Sequence, residues 1–170
     1  MPAGLDEEAR YSYTQPALAR AFVRGTRGRV IDGTCGAGGL ALALAERSEV
    51  EHVLAVDLDA GRLGMAAREA ASRGLGAKLS FHRGPVAEVL DQPHDSLVLD
   101  PPWGGVDYDR ERLGLAQLGM DLPPLLERSA ARILLKLPRS FLVEQLAGDW
   151  SLSGELDERG VLKFLRAERS

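Results

Sequence analysis

Short apolar runs alternate with amphipathic stretches along most of the chain. Residues 29–32 form a brief apolar run closed by an acid, a glycine-rich stretch follows, and residues 40–45 read Leu-Ala-Leu-Ala-Leu-Ala. This is the pattern of strand, loop and helix. Further strands are predicted at 52–57, 78–82, 96–100 and 132–137. Helices are predicted at 16–24, with Thr14 near its start and Pro16 in its first turn, and at 59–73, 85–90, 122–131 and 140–147. Residues 150–156 and 161–166 read as two strands joined by a turn at 157–160, a hairpin. Strands that alternate with helices imply a parallel sheet covered on both faces. The expected class is α/β, a doubly wound, mostly parallel sheet with an antiparallel C-terminal hairpin at its edge.

Composition narrows the picture without changing it. A chain of 170 residues, 45% hydrophobic and 27% charged, fits one globular domain. Residues 1–10 are expected to be a flexible acidic tail and 11–170 a single domain. No apolar run approaches the ~18–20 residues of a membrane span, and the acidic start does not resemble a secretory signal. Cys35 is the one cysteine, which excludes an internal disulfide and a cysteine-based zinc cluster. His52, His82 and His94 are scattered without metal-ligand spacing, so no metal is expected. A cytoplasmic location is the default. The net charge of −4 argues against a broadly basic protein that coats nucleic acid.

Chemistry gathers where predicted strands end. In such sheets ligands bind outside the carboxyl ends of the strands, and those ends carry Asp32, Asp57, Gly84 and Asp100. Asp32-Gly-Thr-Cys-Gly-Ala-Gly-Gly39 has the pattern acid-x-x-x-Gly-x-Gly. Glycine permits sharp turns and close approach of a ligand to the backbone, and the helix that follows opens with free N–H groups. A dinucleotide or S-adenosylmethionine would fit. The acid at the strand end suits a ligand amine, and Asp57 suits ribose hydroxyls in either case. Asp59 is expected to cap the next helix, and Cys35 to be a small residue in a tight loop.

Asp100-Pro-Pro-Trp-Gly-Gly105 is the most specific motif. The two prolines stiffen the loop. They lack N–H groups, so the Pro101 and Pro102 carbonyls are expected to be available as acceptors. An aspartate and a carbonyl can together accept both hydrogens of a planar exocyclic amine and hold its nitrogen for transfer. Trp103 offers a flat face on which a nucleobase can stack. This reading requires Asp100 to face the cleft beside the glycine turn and Trp103 not to be sunk in the interior.

With these residues in view, the chain resembles the trimethylguanosine synthase family of S-adenosylmethionine-dependent methyltransferases. Asp100-Pro-Pro-Trp-Gly-Gly-Val-Asp-Tyr108 is similar to that family's acceptor loop, and Val30 to Gly39 to its glycine loop. Tyr11-Ser-Tyr-Thr14 resembles the family segment before the first helix, Val56-Asp-Leu-Asp59 its ribose-binding strand end, and Leu135-Lys-Leu-Pro-Arg139 its fifth strand. The resemblance implies a Rossmann-like fold, S-adenosylmethionine as cofactor, and RNA as substrate, with the guanine 2-amino group as acceptor. Cofactor-binding positions are then Thr14, Asp32, Gly33, Gly36, Gly38, Asp57 and Leu58. Catalytic positions are Asp100, Pro101, Pro102 and Trp103. Two departures stand out: Pro85 occupies a position where such enzymes place an acid, and Asp100 replaces the serine of the eukaryotic cap enzymes. A cap substrate is therefore not implied, and a guanine within another RNA fits better.

Two acid-free basic runs, Arg20/Arg24/Arg27/Arg29 and Arg128/Arg132/Lys136/Arg139, fit either a surface that helps RNA approach or solvated helix faces. Rival readings are a nicotinamide-dependent oxidoreductase, a cofactor-binding module without catalysis, and an adenine 6-amino methyltransferase. The first leaves the Asp-Pro-Pro-Trp loop unexplained.

Overall fold

The computed structural model of the protein describes residues 13–105, 109, 111–129 and 131–170. The expected acidic tail, Tyr11 and Val106–Tyr108 of the acceptor loop lie outside the described residues. Seven strands form one sheet in the order β3-β2-β1-β4-β5-β7-β6. They are β1 (Gly28–Asp32), β2 (Val50–Asp57), β3 (Leu79–Arg83), β4 (Ser96–Leu99), β5 (Arg132–Pro138), β6 (Ser151–Leu156) and β7 (Leu162–Arg169). The first five pair in parallel, while β7 runs antiparallel to both β5 and β6. The expected α/β class, with its terminal hairpin at the sheet edge, is what the chain adopts.

Among the described residues there are four α-helices: α1 (Pro16–Phe22), α2 (Gly39–Ala45), α3 (Ala60–Ser72) and α4 (Leu122–Arg128). Alternation along the strands divides the core into two layers. Val30, Val53, Ala55, Val98 and Leu134 pack with α1, α2 and α3 on one face. Ile31, Val56, Leu97, Leu99, Ile133 and Leu135 pack with Val86 and α4 on the other. Because β1, β4 and β5 are buried on both faces, they read as continuous apolar runs.

One expected helix is absent. Residues 140–147 form only a 3₁₀ turn, Val143–Gln145. This segment pairs instead with the stretch after the acceptor loop: the Leu113 N–H donates to the Ser140 carbonyl (3.0 Å) and the Leu142 N–H to the Leu113 carbonyl (2.8 Å). The Leu115 N–H donates to Gln145 Oε1 (2.8 Å). Tertiary pairing overrides helical propensity there. The helix expected at 85–90 likewise shrinks to a 3₁₀ turn, Val86–Glu88. Among the described residues no helix is long and apolar enough to cross a membrane.

Candidate active site

The period of two that sorts the core also sorts the charges. Asp32 follows Val30, Asp57 follows Ala55, Asp100 follows Val98, and Lys136 follows Leu134, each two residues on in its strand direction. All four therefore fall on the α1–α3 face, at the carboxyl ends of the four adjacent strands β2, β1, β4 and β5. This is where an open α/β sheet takes its ligand.

The glycine loop is held from several sides. The Gly33 N–H donates to the Val98 carbonyl (2.9 Å) and the Cys35 N–H to the Val56 carbonyl (2.8 Å). Asp57 takes the Gly36 N–H on Oδ2 (2.7 Å) and the Asp59 N–H on Oδ1 (2.9 Å). Each carboxylate oxygen has a second lone pair, so these bonds leave acceptor capacity toward a ligand. Gly36 lies in the left-handed region (φ +52), and a Cβ there would meet open space. A Cβ on Gly33 would instead collide with Leu99 at 2.6 Å and Val86 at 2.7 Å. The two glycines thus serve different ends, one an opening and the other close packing. Leu58 is 69% exposed. Asp59 caps α3 as expected, accepting from the Gly61 and Arg62 N–H groups. Cys35 is buried, and burial holds its thiol well above its usual pKa.

Asp32 is fully buried. Its Oδ1 accepts a long bond from the Thr34 N–H (3.3 Å), while Oδ2 has no hydrogen-bond partner among the described residues. Burial, reinforced by the nearby Asp100 and Asp57 charges, pushes its pKa up to about 7.

Asp100 sits just past β4, joined to the glycine loop because its N–H donates to Thr34 Oγ1 (2.6 Å). Its carboxylate is engaged: Lys136 Nζ donates to Asp100 Oδ2 (2.6 Å) and to Thr14 Oγ1 (2.8 Å). Burial raises the Asp100 pKa, and the Lys136 charge opposes that rise. Trp103 is partly buried and bridges the two core layers. Its ring centroid lies 5.0 Å from Lys136 Nζ. Asp100 is thus tied to the glycine turn through its backbone N–H, and Trp103 packs against both core layers while remaining partly exposed.

Other expectations need correction. The Pro102 carbonyl is not free of a competing donor, because it accepts the Gly119 N–H (2.8 Å). Thr14 does stand near the start of α1, one residue before the N-cap Gln15, and its hydroxyl accepts from Lys136 Nζ. Neither basic run forms one surface. Lys136 is buried, Arg128 pairs with Asp91 (3.0 Å), and Arg132 with Glu168 (2.5 Å). Of that run Arg139 alone is exposed at the carboxyl end of β5. In the other run, Arg24 pairs with Glu155 and Arg20 with Glu46 (3.6 Å). Arg27 and Arg29 are exposed, but they flank the amino end of β1, opposite the site. A polar cavity of about 60 Å³ between Arg29, His52, Ser80 and His94 also lies at that far end.

Sequence reasoning did not identify Lys136, Thr34 or Phe164 as parts of the site. For Lys136 the signal was present: a single cation inside an apolar strand must find a partner.

Comparison with known proteins follows the same lines. The model of the family described as RNA cap guanine-N2 methyltransferase matches residues 27–151, more than half of the chain. An uncharacterized RNA methyltransferase of Parasynechococcus marenigrum is 32% identical over 83 residues, which is 47% of this chain and 17% of that protein. TrmN of Thermus thermophilus superimposes with a TM-score of 0.66 at 24% identity, over 96% of this chain and 51% of that one. A Streptococcus mutans protein solved in complex with SAH gives a TM-score of 0.60 at 14% identity, over 91% of this chain and 97% of that one. The chain spans less than a quarter of the length of the curated relatives it matches. The protein belongs to the RNA cap guanine-N2 methyltransferase family, with a Rossmann-like fold and S-adenosylmethionine as its cofactor.

Proposed function

We propose that this chain methylates the exocyclic 2-amino group of guanine in RNA. The observation that carries the reading is the position of Asp100: a carboxylate at the end of β4, tethered through Thr34 to the glycine loop and followed by a partly exposed Trp103. The family's own description and the RNA methyltransferase relative favour RNA over other acceptors.

The residues around the glycine loop fit the cofactor. Asp32 Oδ2, buried without a partner among the described residues, suits an amino group. Gly36 allows close approach, Gly38 lets the loop pack against Ala66 of α3, Asp57 has capacity for ribose hydroxyls, and the exposed Leu58 offers an apolar face to a base. When bound, the cofactor supplies an electrophilic methyl carbon on a sulfonium, and transfer to an amine breaks the sulfur–carbon bond and releases one proton. The chain's part is alignment. Asp100 Oδ1 and the Pro101 carbonyl accept the two hydrogens of the guanine amine. Trp103 supports the ring; such stacking contributes ~1–3 kcal/mol per base. Positioning and fixed charge supply the rate, with no covalent enzyme intermediate.

The test is labelled-methyl transfer to total RNA followed by nucleoside mass spectrometry. N2-methylguanosine is the expected product. N6-methyladenosine would transfer the assignment to the adenine 6-amino group, and no labelled nucleoside would remove RNA as the acceptor.

A further inference from the structure

Lys136 stands in a strand buried on both faces, within the run Ile133-Leu-Leu-Lys-Leu137, and is only 6% exposed. An ammonium taken out of water costs several kcal/mol unless partners replace the lost hydration. Here the partners are specific. One bond goes to Asp100 Oδ2 (2.6 Å) and one to Thr14 Oγ1 (2.8 Å), and the rings of Trp103 and Phe164 flank the nitrogen with centroids at 5.0 Å each. Cation–ring contacts of this kind gain strength when desolvated.

We propose that Lys136 is the positioning residue of the methyl-acceptor clamp. It fixes Asp100 as an ionised carboxylate, with Oδ2 held from below and Oδ1 left to accept an N–H of the substrate amine. This inference rests on the function proposed above and adds to it.

The chemistry favours such a cation. A protonated carboxyl gives up one oxygen to an O–H donor and keeps only a neutral acceptor, which holds an amine N–H more weakly than a carboxylate does. Burial favours that protonated form, and the Lys136 charge and hydrogen bond oppose it. The groups around the pair come from every neighbouring element. Asp32 belongs to β1 and Thr34 to the glycine loop. Thr14 precedes α1, and Asp57 of β2 lies beyond Asp32. On β7, Arg166 stands opposite Lys136 in the register. Its guanidinium is turned to Glu168 (2.6 Å) and to the carbonyls of Phe22 (2.7 Å) and Arg24 (3.2 Å). Among the described residues, Lys136 is the cation that bonds Asp100. The same ammonium joins two parts of the site. A Cβ placed on Gly39 would come within 2.9 Å of the Thr14 carbonyl, so the Thr14 segment lies directly on the start of α2. One nitrogen therefore sets the acceptor loop against the segment over the glycine loop.

The experiment follows the Asp100 carboxyl by ¹³C NMR titration in the full chain, assigned by loss of its signal in Asp100→Asn. The native chain is compared with Lys136→Met and Lys136→Arg, and methyl transfer to total RNA is measured across pH for each. In Lys136→Met the Asp100 midpoint is expected to rise by about one pH unit or more. Methyl transfer should fall roughly tenfold at neutral pH and recover as pH rises, whereas Lys136→Arg should keep the native profile. An unmoved Asp100 midpoint in folded Lys136→Met, or a profile scaled down equally at every pH, would overturn the proposal. If the native chain methylates no RNA, the proposed function fails by itself, and the titration still decides whether Lys136 governs Asp100. If Lys136→Met does not fold, a raised midpoint in Lys136→Arg would overturn it.

Discussion

At the scale of single residues, the site is a set of carboxylates with unequal protonation. Asp32 moves from the usual 3.8 up to about 7 in the folded chain. The folded state therefore holds a proton across that window that the unfolded state has already released. Stability contributed in this way is fully present below 3.8 and is lost as pH rises through about 7. Asp100 shifts in the same direction. The urea midpoint of the cofactor-free chain should fall as pH rises across this window, and Asp32→Asn should flatten the dependence. Cofactor affinity should show the reverse slope, since an amino group prefers ionised Asp32. Isothermal titration in buffers of different protonation enthalpy would detect proton release on binding, and its persistence in Asp32→Asn would remove Asp32 from that role. Asp100→Ala is expected to abolish methyl transfer while leaving cofactor affinity within about threefold, because removing an interaction made only on the way to the transition state spares ground-state binding. Loss of cofactor binding in that variant would reverse the assignment. Trp103→Ala should instead act mainly on substrate engagement, raising KM for RNA.

At the scale of elements, the glycine loop separates two kinds of substitution. Gly33→Ala forces a methyl against Leu99 and Val86, and overpacking of this type costs about 1–3 kcal/mol. Gly36→Ala meets no neighbour but must hold φ +52, a strain of ~1–2 kcal/mol. Thermal melts should therefore show both variants destabilised. Cofactor titration should single out Gly36→Ala, whose methyl projects into the open side of the loop. The strands and their acidic ends were legible because burial on both faces leaves an unbroken apolar run, and a polar residue then marks where it stops. The segment 140–147 was not legible, because its conformation is dictated by Leu113 and Gln145 contacts that no local pattern encodes. Lys136 was misread for a related reason: spacing grouped it with Arg128, Arg132 and Arg139, while the sheet turned it inward against Asp100.

At the scale of the whole molecule, charge is distributed unequally between the two ends of the sheet. Arg27 and Arg29 face solvent at the amino end of β1, whereas Arg139 is exposed at the carboxyl end of β5, beside the site. If RNA approaches the carboxyl ends, Arg139→Ala should weaken RNA binding and lower the slope of log K against log salt by about one. Arg27→Gln with Arg29→Gln should leave that slope unchanged, and the opposite result would place the RNA on the far end. The cage around Lys136 carries a separate consequence. Its walls at Thr14 and Phe164 fall before and after the span 27–151 that the family pattern covers. A match over that span therefore leaves unspecified the two flanking segments that complete the chamber. Swapping those flanks between paralogues, with the shared middle left intact, is where a change of acceptor preference should first emerge.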